Sequence, residues 1–342
     1  MPNISLIGKT QEELHSLVKE LNMPAFTAKQ IASWLYKKKV SSIDEMTDIS
    51  LAGREKLKKN YEVGRLSYRQ RQESTDGTLK YLFPVSEDTF IETVYIPDKE
   101  RATLCVSTQV GCKMNCRFCM TGKQGFIAGL SPAEIMNQIL SIPERENLTN
   151  IVFMGMGEPL DNIKALFKSL EILTSDYGFG YSPKRITVST VGLIPGLERF
   201  LTESKCHLAV SIHSPFPEER LSLMPVEKAY PIGKVVELIK QYDFSHQRRV
   251  SFEYILFGGF NDDLEHARAL ANLLQGIPCR MNLIKYHTIP DVDLPETQFE
   301  KMAPFRDYLS SRGIISTIRA SRGEDILAAC GMLSHAVKFR EK

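Results

Sequence analysis

From residue 102 onward, short apolar runs alternate with stretches of helical periodicity, and this alternation constrains the fold of the 342-residue chain more than any other feature. Candidate strands fall at 103–107, 151–154, 186–189, 208–212, 250–256, 280–284 and 314–318, with helical patterns between them. Parallel strands need crossover connections, so regular βα alternation implies a parallel sheet covered by helices. Six or seven such units in about 240 residues are enough for a barrel or most of one. A doubly wound open sheet uses the same elements. The polar residues favour the barrel because they sit where strands end. Cysteines follow the first strand, Gly157-Glu158-Pro159 the second, Ser189 ends the third, and Ser211 and His213 end the fourth. A ring of polar groups at successive strand carboxyl ends is how a barrel builds a site.

Residues 1–60 read differently. Thr10 and Glu13 have capping-box spacing, with Leu14, Leu17, Val18 and Leu21 on one helical face behind them. Ile31, Trp34 and Leu35 form a second stripe. Residues 1–75 hold 13 Lys/Arg against 9 Asp/Glu, and the remainder 30 against 32. The Lys37-Lys38-Lys39 run and Lys56, Lys58 and Lys59 supply much of that excess. A solvated face is the ordinary reading of such runs. Residues 61–101 carry short β-branched and aromatic runs broken at Asp76-Gly77 and Pro97-Asp98, which predicts hairpins linking a helical domain (1–60) to the βα domain (102–342).

A net charge of only +2 excludes a uniformly basic nucleic-acid coat, and 43% hydrophobic residues exclude a disordered chain. No apolar run approaches a membrane span. Three of the seven cysteines crowd into Cys112-Lys-Met-Asn-Cys116-Arg-Phe-Cys119. Chance placement at those three offsets has a probability of roughly one in a hundred thousand per start. A disulfide framework would spread its cysteines along a short secreted chain, so the crowding predicts metal chemistry in a reducing, cytoplasmic compartment. Structural zinc wants four ligands, usually two CxxC pairs, and there is no second pair here. Three thiolates on a [4Fe–4S] cubane leave one iron open, which is chemically useful.

This spacing after the first strand of a βα barrel is the signature of the radical S-adenosylmethionine (SAM) superfamily. A narrower resemblance spans nearly the whole chain. Glu92-Thr-Val-Tyr-Ile-Pro, Ala102-Thr-Leu-Cys105-Val-Ser-Thr-Gln-Val-Gly-Cys112, Cys119-Met-Thr-Gly-Lys-Gln-Gly-Phe126, Gly155-Met-Gly-Glu-Pro-Leu160 and Arg322-Gly-Glu-Asp-Ile-Leu-Ala-Ala-Cys330-Gly331 resemble the RlmN/Cfr family of radical SAM methyltransferases, which act on adenine in 23S ribosomal RNA. Gln30-Ile-Ala-Ser-Trp-Leu-Tyr36 and Asp44-Glu-Met-Thr-Asp-Ile-Ser50 are similar to its accessory domain. The resemblance implies an α/β fold, a partial (β/α) radical SAM barrel with a small N-terminal helical accessory domain that binds RNA.

It also implies roles. Cys112, Cys116 and Cys119 would hold the [4Fe–4S] cluster, whose open iron binds SAM and whose electron cleaves it. Cys330 would accept a methyl group from one SAM, and a radical made from a second SAM would activate that methyl. Cys105 would resolve the protein–RNA crosslink by forming a disulfide with Cys330, and Glu92 would accept the ring proton. Gly157, Glu158, Ser189, Ser211, Ile212 and His213 match SAM-contacting positions. Relatives carry Asn-Pro-Phe after the sixth strand where this chain has Lys285-Tyr-His287-Thr-Ile-Pro290, so His287 replaces a SAM-binding asparagine. Each residue has a plainer reading: Cys105 a small strand hydrophobe, Cys330 the core face of a helix ending at Gly331, Glu92 an edge-strand charge, Ser189 and Ser211 turn formers. Cys206 and Cys279 keep that plain reading. Implied partners are 23S rRNA, tRNA and an electron donor such as flavodoxin or ferredoxin, with no membrane and a monomeric enzyme. C2 of adenine is the expected target. The alternatives are a C8-methylating resistance relative, a radical SAM enzyme acting on a peptide or protein, and a zinc-bearing RNA-binding module.

Overall fold

Thr10 and Glu13 do form a capping box, which opens α1 (Gln11–Glu20) and buries Leu14, Leu17 and Val18. The computed structural model describes residues 3–244 and 249–334. Beyond β1 (Ile4–Ser5) and α1, α2 (Thr27–Ala32) continues through a π-helical turn at Ser33–Lys37, α3 (Leu51–Lys58) follows, and β2 (Tyr61–Glu62) pairs in parallel with β1. These helices do not form a core of their own. Leu14, Ile31, Leu35 and Tyr36 belong to the same apolar cluster as the barrel residues Ile135 and Leu166. Tyr36 Oη donates to the Lys9 carbonyl at 2.6 Å, and its ring tilts against Tyr177 and Phe179. Lys39 Nζ pairs with Glu146 at 2.5 Å. Glu146 lies just before an inner barrel strand, so the lysine run is tied to the end of the barrel opposite the strand carboxyl termini.

Residues 61–101 fold as hairpins, but these belong to the barrel sheet. β3 (Gln70–Glu73), β4 (Leu79–Pro84) and β5 (Phe90–Asp98) run antiparallel, and β5 pairs antiparallel with β6 (Arg101–Cys105). From β6 the sheet is parallel. β7 (Gln109–Gly111) and β8 (Phe126–Gly129) form a separate small ribbon, and the wall continues through β9 (Asn150–Phe153), β10 (Ile186–Thr190), β11 (His207–Ser211), β12 (Val250–Leu256), β13 (Cys279–Lys285) and β14 (Ile315–Ile318). All seven strands expected from the apolar runs are present, within two residues of the expected bounds. Spatial order from β6 to β14 never reverses. A doubly wound sheet needs such a reversal, so the topology is a barrel wall. β3 and β14 end the ten-stranded sheet without pairing to each other among the described residues, which leaves the barrel partial.

Helices supply the crossovers: α4 (Met120–Lys123), α5 (Pro132–Leu140), α6 (Ile163–Thr174), α7 (Ile194–Glu203), α8 (Pro217–Leu223), α9 (Ile232–Lys240), α10 (Leu264–Leu273) and α11 (Phe299–Ser311). Ser131 and Glu134 cap α5 reciprocally, with Pro132 in the first turn, where its missing N–H costs nothing. Parallel strands covered on both sides are mostly apolar, and β12 shows it: Val250, Phe252, Tyr254, Ile255 and Leu256 are all buried, with Ser251 and Glu253 the polar exceptions. No helix among the described residues is long and apolar enough to cross a membrane.

Candidate active site

One cavity of about 180 Å³ opens at the carboxyl ends of the parallel strands. Cys112, Cys116, Cys119, Cys105, Cys330, Gly157, Glu158, Ser189, Ser211 and His213 all line it. Three expected site residues do not. Glu92 lies beneath the C-terminal segment and accepts Ser334 N–H, Ile212 is buried in the main apolar core, and His287 is buried against Ser321.

The β7–β8 ribbon closes the cysteine loop. Cys112 N–H donates to Gly125 O at 2.9 Å, and a Cβ on Gly111 (φ 73°) would fall 1.8 Å from that same carbonyl, so glycine is required. Within the loop Cys119 N–H donates to Cys116 O, and Arg117 N–H donates to Leu223 O at the end of α8. Burial pushes the Cys112 thiol up to about 12, and the Cys116 and Cys119 thiols also rise. Neutral thiols are therefore the resting form, and only a bound metal would deprotonate all three. Among the described residues no three His, Cys, Asp or Glu side chains converge tightly enough for one metal ion. A cubane presents three irons at separate corners, so its thiolates are spread around one cavity as these are.

Glu158 follows β9 in a turn that only glycine permits. Gly157 has φ 97°, and a Cβ there would meet Gln109 at 2.4 Å. The Glu158 carboxylate accepts from Leu160 N–H (3.0 Å) and Val191 N–H (2.9 Å), which fixes both oxygens. Burial raises its pKa to about 7 against the pull of those donors, so an incoming ammonium would meet a group ready to ionise. His213 is left-handed (φ 61°), and its Nδ1 accepts Ile255 N–H at 3.0 Å. That bond puts the proton of the neutral ring on Nε2 as a donor. Burial, then the nearby Arg220 guanidinium, hold the pKa at about 3, so the ring stays neutral.

The C-terminal segment forms the remaining wall. It is no helix: among the described residues after β14, up to Ser334, only one 3₁₀ turn (Glu324–Ile326) is regular, and Cys330 is exposed where the plain reading required a core face. Cys105 ends β6, buried, its thiol pushed up to about 12 by burial while the Arg319 guanidinium acts in the opposite direction. All seven cysteines are free, so the implied Cys105–Cys330 disulfide is not formed in this state. Glu92 is no edge charge, because β5 lies inside the sheet and its carboxylate is buried. His287 Nε2 bonds Ser321 Oγ at 2.6 Å. Its Nδ1 lies 3.0 Å from Glu324 Oε1, close enough for ion pairing but misaligned for a hydrogen bond. His287 thus braces the C-terminal segment. Cys206 and Cys279 are buried away from the cavity.

Sequence reasoning missed the supports. Arg220, fully buried, pairs with Glu227 and donates to the carbonyls of Val191, Ser211 and Ile212, tying the ends of β10 and β11 together. In Pro-Glu-Glu-Arg-Leu-Ser-Leu such a residue reads as a solvated helix charge. Glu253 and Arg319 also line the cavity, 3.3 Å apart. Strand alternation alone could have flagged Glu253, a carboxylate amid six strand neighbours of low polarity.

Comparison with known proteins agrees with this geometry. The Radical SAM superfamily profile matches residues 106–271, and the ribosomal RNA large subunit methyltransferase N-terminal domain profile matches residues 4–63. The chain is 61% identical to "Probable dual-specificity RNA methyltransferase RlmN" of Phocaeicola vulgatus over 100% of this chain and 98% of the relative. It is 41% identical to "Dual-specificity RNA methyltransferase RlmN" of Syntrophus aciditrophicus, over 98% of this chain and 97% of the relative. The chain belongs to the RlmN family of radical SAM RNA methyltransferases. A crystal structure of a radical SAM methyltransferase from Sphaerobacter thermophilus superposes with a TM-score of 0.91 at 37% identity, covering 97% of this chain and 99% of that one. Enzymes of this family use a [4Fe–4S] cluster and SAM, and the cavity fits both: three thiols on one loop, two of them buried, line it together with a desolvated carboxylate and a neutral imidazole donor.

Proposed function

We propose that this chain methylates C2 of an adenine in 23S rRNA, and of an adenine in tRNA, using Cys330 as a covalent methyl carrier. The observation that carries this reading is that Cys330 and Cys105 line the same cavity as Cys112, Cys116 and Cys119. Two thiols outside the cluster motif, 225 positions apart in the chain, have no packing reason to share a reactive cavity wall. Cys112, Cys116 and Cys119 would hold the cluster, which would supply the one-electron reduction of bound SAM.

The rest is done by the protein. Glu158 receives the SAM ammonium, while Ser189, Ser211 and the His213 Nε2–H donate to its remaining polar groups. Cys330 holds the methyl at the cavity mouth, and Glu92 accepts the proton that leaves the ring carbon. Cys105 then frees the product. Its S–S bond to Cys330 forms as the C–S bond breaks, and the bonding pair leaves on the methyl carbon, which takes up a proton. The exposed Lys37, Lys38 and Lys59 suit RNA phosphates, whereas Lys39 pairs with Glu146, Lys58 with Asp44 and Glu55, and Lys56 with the Leu21 and Asn22 carbonyls. A monomer in the cytoplasm, reduced by a flavodoxin or ferredoxin, completes the reading.

Mass spectrometry of adenosines from 23S rRNA and tRNA treated with the reconstituted enzyme tests it. 2-Methyladenosine in both is expected; 8-methyladenosine would place the chain with the resistance relatives, and unmodified RNA would overturn the reading. Cys105→Ala should trap a covalent protein–RNA adduct on a denaturing gel, and Cys330→Ala should form none.

A further inference from the structure

A buried ion pair lies directly beneath the segment that carries Cys330. Lys80 projects from β4 and Glu92 from β5. The register sets Lys80 opposite Val94 and Leu82 opposite Glu92, so the two charges are diagonal neighbours on one sheet face. Val94 lines the cavity from that face, and Cys105 stands opposite Val94 on β6. Lys80 Nζ is 3.0 Å from Glu92 Oε1, and both side chains are 6% exposed.

Each charge also holds one end of the Cys330 segment. Lys80 Nζ donates to Leu327 O at 3.4 Å, and Glu92 Oε2 accepts Ser334 N–H at 2.8 Å. Leu327 is left-handed (φ 54°) and 56% exposed, a conformation leucine rarely adopts unless its surroundings impose it. A pair this buried contributes little net stability, because desolvation offsets the attraction, and an apolar pair would serve a purely structural purpose as well. Placed beside a reactive cavity, the charges have another use. Burial alone drives Glu92 toward its neutral form, and Lys80 is the charged group that opposes this.

We infer that Lys80 is a positioning residue for methyl transfer, keeping Glu92 ionised as proton acceptor and clamping the Leu327 end of the Cys330 segment while Glu92 holds the Ser334 end. This rests on the reading of Glu92 as the acceptor. In the step it serves, the C–H bond of the ring carbon that has joined the Cys330 methylene breaks, the proton passes to a Glu92 oxygen, and the bonding pair stays in the ring, whose one surplus electron would return to the oxidised cluster. Oε1 keeps its ammonium partner throughout, while Oε2 exchanges the Ser334 N–H for the proton.

The test uses the full chain with its cluster and single-turnover methylation of 23S rRNA between about pH 6 and about pH 9. In Lys80→Met the acid limb should move upward, giving about a ten-fold loss at neutral pH for each unit of displacement and recovery in alkali. Lys80→Gln, a milder change, should behave likewise, and Lys80→Arg should keep the normal limb. Iron and sulfide content reports whether each variant is folded and loaded. A loss equal at every pH, or a profile superimposable on the parent's, overturns the role of Lys80. Normal methylation by Glu92→Gln would instead overturn the acceptor reading itself, so the two failures are separable.

Discussion

The cysteine loop at 112–125 and the C-terminal segment at 319–334 reach the same cavity by different means. The loop grows out of the repeating architecture, entered from β7, closed by β8 and α4, and placed where a barrel strand ends. Its geometry is local, with Cys112 bonded to Gly125 and Cys119 to Cys116. The segment has almost no regular structure and is strapped down by distant residues. Ser74 Oγ donates to Asp325 at 2.5 Å, Thr75 N–H donates to the same carboxylate, and Gly323 N–H donates to Asp76 at 2.9 Å. Met120 N–H donates to Gly331 O, and Thr121 Oγ1 to Leu333 O. One wall is therefore set by the repeating fold, and the other by long-range hydrogen bonds and ion pairs together with the burial of Ala328, Ala329, Met332 and Leu333. Such a strap opens at lower free-energy cost than a barrel wall, which suits the methyl-carrier role proposed for Cys330.

Two substitutions should separate the walls. Cys116→Ala removes one of the three thiols proposed to hold the cluster, and both SAM cleavage and methylation should fall to background; full deoxyadenosine formation would sink the cluster assignment. The double variant Asp76→Ala/Asp325→Ala loosens only the strap. Methylation should drop about ten-fold or more, as it does when a reacting group loses its positioning, with iron and sulfide content unchanged. Equal loss of iron in that variant would mean that the two walls are one unit.

The same contrast explains what was legible in the residues. The strands, the Thr10 cap and the cysteine loop follow from local patterns: alternation, capping spacing and three thiols within eight residues. Gly157-Glu158 was legible because a strand end is a predictable place in a barrel. Lys80, Arg220 and the Asp76 and Asp325 anchors were not. Each acts on a partner far along the chain, or on a backbone carbonyl that no residue identity reveals. Cys330 needed family resemblance for that reason, since Ile-Leu-Ala-Ala-Cys reads locally as helix core and folds as irregular chain only because Ser74, Lys80 and Glu92 hold it. His287 shows the converse: a residue matched to a ligand position braces the strap through Ser321.

The smallest expected effect is one of sign. Partial burial raises the pKa of Asp76, but donors from Thr78, the Gly323 N–H and Ser74 together outweigh it and hold the group at about 2. A folded pKa below the unfolded value of about 3.9 means that the strap's contribution is present above that pH and lost as pH falls toward 2. On the barrel side, His266 bridges Asp263 (2.7 Å) and Glu219 (2.9 Å), joining α10 to the α8 that carries Arg220. Burial lowers its pKa, yet the two carboxylates raise it further, so the net shift is upward. Its contribution is therefore full below about pH 6.5 and lost as pH rises through the folded value. Asp76→Asn should lower the melting temperature by about 2 °C near neutrality, as a solvent-screened contact would, and the deficit should shrink below about pH 4 and vanish toward pH 2. His266→Gln should show its deficit near pH 5.5 and lose it by pH 8.5. Deficits that stay constant with pH would show that shape, and not charge, holds both walls.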